Sequence, residues 1–247
     1  MKIALRTLSF HFFFCLAFLN AYLVDAQVIN AIGDFTPQVN AVLCQGTGNF
    51  TLTATTNAGG GLLYDPNEYE WVDFTGGNTT LTEKSNQLIV SNLLPGYHTY
   101  KVRGTVTSTS TCPGDFEEFT IYVLPPLTIS IASSGNAVSN IYCTDNLPTS
   151  VLLSATVSPG TPVTEAFGYN YQWYQVEGAT ETAIAGATSS TYSVTNLAQG
   201  NIKYKVKATF KVLTACTYDS STNATGGAVE IIVKPKPTKP VITLSMN

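Results

Sequence analysis

A catalytic site in this sequence would have to be assembled from very few parts. The chain has two histidines. His11 lies in an apolar N-terminal run, which leaves His98 as the one candidate general base. It follows Leu94-Pro95-Gly96, where a turn hands over to a strand, and a surface turn residue is its plain structural role. No Gly-x-Ser-x-Gly elbow, phosphate-cradling glycine loop or paired-histidine zinc motif occurs. Carboxylates gather at Asp65, Glu68, Glu70 and Asp73 around Trp71. Period two puts Glu68 and Glu70 on the face opposite Trp71, where carboxylates solvate a sheet. Calcium needs loop carboxylates at close spacing, which Asp65-Pro66-Asn67-Glu68 meets loosely. The expectation is no enzyme, no cofactor and no metal site, with calcium as an alternative partner.

Cysteine is the remaining reactive type. Cys15 falls in the N-terminal apolar run, and Cys44, Cys112, Cys143 and Cys216 remain. There is no Cys-x-x-Cys pair to hold a metal, so disulfides are the expected fate in an exported protein. The N-terminus supports export. Lys2 and Arg6 precede the run from Leu8 to Val24, and Ala26 offers a small residue before Gln27. This reads as a cleaved signal peptide over residues 1–26. His11 and Asn20 leave the run short of the roughly 20 apolar residues of a membrane span, so no span is expected in the mature chain.

The elements come as a duplicated pattern. Asn92-Leu93-Leu94-Pro95-Gly96 leads into Tyr100-Lys101-Val102, and Asn196-Leu197-Ala198-Gln199-Gly200 into Tyr204-Lys205-Val206, with identical spacing. Leu52-Thr53-Ala54-Thr55 matches Leu153-Ser154-Ala155-Thr156. Tyr69-Glu70-Trp71 matches Tyr171-Gln172-Trp173, and the cysteines match as Cys44 with Cys143 and Cys112 with Cys216. Alternating apolar and polar residues make these segments strands. The fold class is therefore all-β, two tandem immunoglobulin-like β-sandwiches over residues 27–125 and 126–234. Trp71, Trp173, Tyr100 and Tyr204 are the expected core aromatics. Val28 to Leu43 should hold the opening edge strand, broken at Pro37, and Gly59-Gly60-Gly61 should be a loop. Residues 235–247 form a proline-rich linker followed by Val241-Ile242-Thr243-Leu244-Ser245, which resembles Leu127 to Ile131 and reads as the first strand of a truncated third repeat.

Repeat symmetry favours the disulfides Cys44–Cys112 and Cys143–Cys216. One geometric objection stands: Cys44 precedes the second strand and Cys112 follows the sixth, points at opposite ends of a simple sandwich. A bridge between adjacent repeats therefore stays open.

Only 11% of the residues are charged and the net charge is −4. Without a basic cluster the chain lacks the footprint of a nucleic-acid binder. Asn-x-Ser/Thr tripeptides begin at Asn49, Asn78 and Asn223 and matter only where the host glycosylates exported proteins.

The run Cys, Leu-Thr-Ala-Thr, Tyr-x-Trp, the leucine–glycine–tyrosine corner, Cys and a closing Val-x-Val-x-Pro resembles the tandem immunoglobulin-like or PKD-like repeats of large secreted proteins from Bacteroidetes-type bacteria. The corner at Leu94 to Val102 also resembles that of fibronectin type III domains. The resemblance covers residues 28 to 233, and departs from antibody domains in placing Cys112 well past Tyr100. It implies adhesin stalks, surface spacers or modules accompanying secreted enzymes. The expectation is a secreted or cell-surface, non-catalytic spacer or adhesive module with a protein or glycan ligand. Loops 57–67 and 159–167 are the expected recognition loops. The alternative is a carbohydrate-binding accessory module in which Tyr64, Tyr169 or Tyr174 stacks on sugar rings.

Overall fold

The computed structural model describes residues 27–106, 113–134, 140–160, 163–220 and 227–244. Among these residues the regular elements are β-strands, apart from a 3-10 turn at Ile32–Asp34. After the short β1 (Val28–Ile29), the first repeat contains β2 (Ala41–Cys44), β3 (Phe50–Thr53), β4 (Asn57–Gly59) and β5 (Leu62–Asp73). It continues with β6 (Thr79–Thr80), β7 (Gln87–Val90), β8 (Gly96–Val106) and β9 (Glu117–Leu124). The second contains β10 (Leu127–Ser133), β11 (Ile141–Cys143), β12 (Val151–Pro159), β13 (Ala166–Phe167) and β14 (Tyr169–Glu177). It closes with β15 (Thr180–Ala183), β16 (Thr191–Val194), β17 (Gly200–Phe210), β18 (Thr217–Asp219) and β19 (Val229–Lys234).

Each repeat is a pair of facing sheets. In the first, the order β2-β9-β8-β5-β4 faces the pair β3-β7; in the second, β11-β19-β17-β14-β15 faces β10-β12-β16. In both, a short opening strand runs parallel to the last strand, β2 along β9 and β11 along β19. This is the immunoglobulin-like arrangement. Alternation explains the faces. In β7 the burial runs exposed, buried, exposed, buried, because Leu88 and Val90 point inward while Gln87 and Ile89 point out.

Each tryptophan lies at the centre of its sandwich, Trp71 2% and Trp173 0% exposed. Their indole N–H groups make the same bond, to the carbonyl of Ser85 at 2.8 Å and of Ser189 at 2.9 Å. The matched tyrosines Tyr100 and Tyr204 are both buried. The cores are not symmetric, however. The apolar cluster around Trp173 runs on through Phe167 and Phe210 to Tyr122, Leu124, Phe35, Val39 and Ile29, residues that precede the second repeat. The first repeat keeps a smaller cluster around Trp71.

The expected opening edge strand within Val28 to Leu43 is β2, which follows Pro37 and joins β9 at the edge of its sheet. The segment also holds β1, which pairs parallel with β13 of the second repeat. Phe35, 1% exposed, decides this, because an aromatic ring gains more by burial between the repeats than on an open edge. Two local expectations need correction. The triple glycine is part of a hairpin, with Gly59 ending β4 and Gly60 and Gly61 at φ 59° and 81° in the turn to β5. Consequently residues 57–67 are mostly strand, and β5 absorbs Pro66 where its register against β8 shifts between Tyr64 and Tyr69. Among the described residues, 235–244 make no sheet pairing, and Val241, Ile242 and Leu244 are 87%, 95% and 92% exposed.

Candidate functional site

Two places stand out: the junction between repeats and a groove in the side of the first.

The junction is made by β1 and the turn after it, by the ends of β2 and β9, and by β13, the start of β14 and the end of β17. Tyr97 meets Tyr122 edge-on at 4.8 Å between centroids, Phe35 lies 4.8 Å from Tyr122, and Phe167 meets Phe210 edge-on at 5.2 Å. Such pairs stabilise by about 0.5–1.5 kcal/mol each beyond the area they bury. The Tyr122 hydroxyl, on a residue with no exposed surface, donates to Glu165 Oε2 at 2.7 Å. Burial, and then this carboxylate, raise the Tyr122 phenol far above its ordinary range. The Tyr218 hydroxyl donates to the Pro125 carbonyl at 3.3 Å. Gly168 is required where the N-terminal segment docks: its N–H donates to the Ile29 carbonyl at 3.0 Å, and a Cβ there would overlap Asn30 Oδ1.

A disulfide closes the junction. Cys44 is bonded to Cys216, with Cα atoms 5.7 Å apart. The within-repeat pairings Cys44–Cys112 and Cys143–Cys216 are thereby corrected. Cys44 ends β2 at the junction end of the first repeat, and Cys216 lies in the turn between β17 and β18 at the facing end of the second. Sequence symmetry is overruled by end-to-end packing. Cys143, the symmetry mate of Cys44, has a free and exposed thiol. Cys112 lies outside the described residues.

The groove opens beside Trp71 and has a volume of about 350 Å³. Its floor is Leu52, Tyr69, Trp71, Tyr100 and Val102, one wall is Thr51 to Thr55, and Asp115, Glu117 and Phe119 form the other. Tyr64 lines it too, lying over Gly104, where a Cβ would come within 2.7 Å of the Tyr64 ring. Beside it Arg103 is ion-paired with Glu70 at 2.6 Å and stacked 4.4 Å over Phe116. In the second repeat β10 lies along β12 at the corresponding edge. Sequence reading missed this groove, because an uncovered strand edge leaves no local pattern in the chain.

The other candidates are scattered. His98 Nε2–H donates to the Leu94 carbonyl at 2.7 Å and closes its own turn. Asp65 Oδ1 accepts the Asn67 N–H at 2.9 Å, and among the described residues no group of three His, Cys, Asp or Glu side chains could hold a metal ion. Tyr169 packs on Phe210, and Tyr174 has Lys207 Nζ 4.7 Å above its ring. Tyr64, Tyr169 and Tyr174 therefore do not converge on one surface. Of the expected recognition loop 159–167, Ala166 and Phe167 lie at the junction, where β13 pairs with β1. Asn49 and Asn78 are exposed, and Asn223 lies outside the described residues. Among the described residues no helix is long and apolar enough to cross a membrane.

No protein-family model matches the chain, and a comparison with curated proteins finds no match. Solved structures are similar in fold. They include the fibronectin(III)-like modules of Clostridium thermocellum CbhA, at 12% identity and TM-score 0.35, covering 85% of this chain and 97% of that one. Three N-terminal domains of the bacteriophage RB49 highly immunogenic outer capsid protein align at 16% identity and TM-score 0.35, over 78% of this chain and 56% of that one. The amphioxus IgVJ-C2 molecule aligns at 11% identity and TM-score 0.31, over 70% and 99%.

Proposed function

We propose that this chain is an exported, non-catalytic pair of immunoglobulin-like domains, 27–125 and 126–234, that serves as a stiff spacer or adhesive segment of a secreted or cell-surface protein. The observation that supports this most is the junction. Domains that share a chain ordinarily move against one another; here a disulfide, a paired strand and a continuous aromatic cluster span the boundary. A rigid junction suits a module that holds something at a fixed distance and orientation. A disulfide also fits an oxidising compartment. The glycan-binding alternative has less support, since the ring faces of Tyr169 and Tyr174 are already engaged.

Small-angle scattering on the oxidised chain and on Cys44→Ser tests the spacer. One fixed inter-repeat distance in the oxidised chain and a broader distribution in the variant are expected; a broad distribution in both would sink the reading. Protease shaving of intact source cells tests export, which predicts cleavage of the chain without lysis.

A further inference from the structure

We propose that the groove in the first repeat is a β-strand acceptor, and that its occupant is the segment Ile242-Thr243-Leu244-Ser245 of a second copy of this chain. The second repeat shows what belongs at this position. There β10 pairs with β12 over Leu127 to Ser133 and packs across the sandwich mouth against β17, β18 and β19. Its Leu127 and Ile129 point inward, 5% and 0% exposed. In the first repeat β3 corresponds to β12, and among the described residues no strand lies on its outer edge. The chain that could have formed one is diverted to the junction as β1.

The consequence is visible side chain by side chain. Leu153 and Val206 are 0% exposed beneath β10, whereas their counterparts Leu52 and Val102 are half-buried and line the groove. The backbone is open as well. The Ala54 N–H donates to the Asn86 carbonyl beside β7, so by alternation the N–H and C=O of Thr51 and Thr53 point to the unpaired edge. An edge of this kind recruits an extended segment, main-chain bonds giving affinity and alternate side-chain pockets giving specificity.

The occupant is written in the same chain. Leu127-Thr128-Ile129-Ser130-Ile131 and Ile242-Thr243-Leu244-Ser245-Met246 share one alternation of apolar and hydroxyl residues, each preceded by prolines. Ile242 and Leu244 are almost wholly exposed. Charge agrees: an antiparallel donor would bring the lysine-rich linker at Lys236 and Lys239 past Asp115 and Glu117, at the Thr53 end of β3.

Reach selects a second copy. In β19 the chain runs from Val229, opposite Tyr204, to Val233, opposite Gly200, while the Phe210 end of β17 is at the junction. The tail therefore leaves the end of the second repeat that is farthest from the groove. Donation from copy to copy is head-to-tail and does not close on itself, so it builds linear chains.

Sedimentation velocity of the purified full chain over a concentration series tests this. The expected result is a ladder of oligomers that grows with concentration and collapses to monomer when a synthetic peptide of residues 239–247 is added. Ile242→Asp with Leu244→Asp, both on exposed residues, should leave the chain monomeric and its melting at dilutions where the parent is monomeric unchanged. The peptide carrying the same two changes should bind about tenfold more weakly or worse, since two apolar contacts are lost. Thr53→Pro, which removes an outward N–H, should abolish peptide binding. Oligomers that persist in the tail variant would mean another segment fills the groove. A chain that stays monomeric and does not bind the peptide would mean that nothing of this kind does. Either result overturns the proposal.

Discussion

Tyr122 is where a single atom ties the repeats together. Its hydroxyl is buried and donates to Glu165, whose Oε2 also accepts the Thr164 N–H at 3.1 Å. Tyr122→Phe keeps the ring packing and deletes this bond, and should cost about 1.5–3 kcal/mol in chemical denaturation, the range for a hydrogen bond to a charged group. Tyr100 and Tyr204 make a second prediction. Burial, and then the charge of Asp73 in one case and the proximity of Tyr192 in the other, push both phenols up to about 12. In the unfolded chain they ionise near 10. The unfolded state therefore loses protons first as pH rises. The stability tied to these groups is complete below about pH 10 and falls as pH climbs toward about 12. Thermal melts from pH 8 to 12 should show a plateau and then a decline, and Tyr100→Phe should make the decline shallower.

Strands carry the next set of consequences. In β17, Lys205 is 3% exposed and is ion-paired with Glu181 of β15 and, at 2.7 Å, with Asp219 of β18. Burial works against its charge, but the hydrogen bonds to Asp219 and Glu181 outweigh it and hold the ammonium above the ordinary lysine range. Asp219→Asn should cost about 1.5–3 kcal/mol and loosen β18; amide exchange that rises in β18 while β14 stays protected would check it. Strand existence was legible in the sequence, because alternation is a local property and β7, β8, β17 and the segments Tyr69–Trp71 and Tyr169–Trp173 alternate. The exceptions are informative. The triple glycine became a hairpin turn because positive φ suits a tight reversal as well as a loop. Val28 to Leu43 was legible as far as its edge strand β2, but not β1, which is two residues long and has its partner β13 in the other repeat.

At the scale of the molecule, the disulfide and the shared aromatic cluster should make the two repeats unfold together. Calorimetry of the oxidised chain should give one transition. Cys44→Ser should lose about 2–5 kcal/mol, the usual effect of removing a native bridge, and show the first repeat melting ahead of the second, because its own core is smaller and open at the groove. Peptide mapping without reduction should recover Cys44 linked to Cys216 and alkylated Cys143.

The sequence by itself determined the class of fold, the duplication, the buried indoles and the scarcity of catalytic parts. All of these follow from residue type and short-range periodicity. Tertiary structure alone decided which cysteines meet, where the N-terminal segment goes and which sheet edge is left uncovered. The physical reason is common to the three. Each depends on how two repeats of nearly equal pattern abut, and Phe35, Tyr122, Phe167 and Phe210 reach one another only after both sandwiches have formed. Symmetry in the chain predicts symmetric pairing, whereas burial at the contact breaks it.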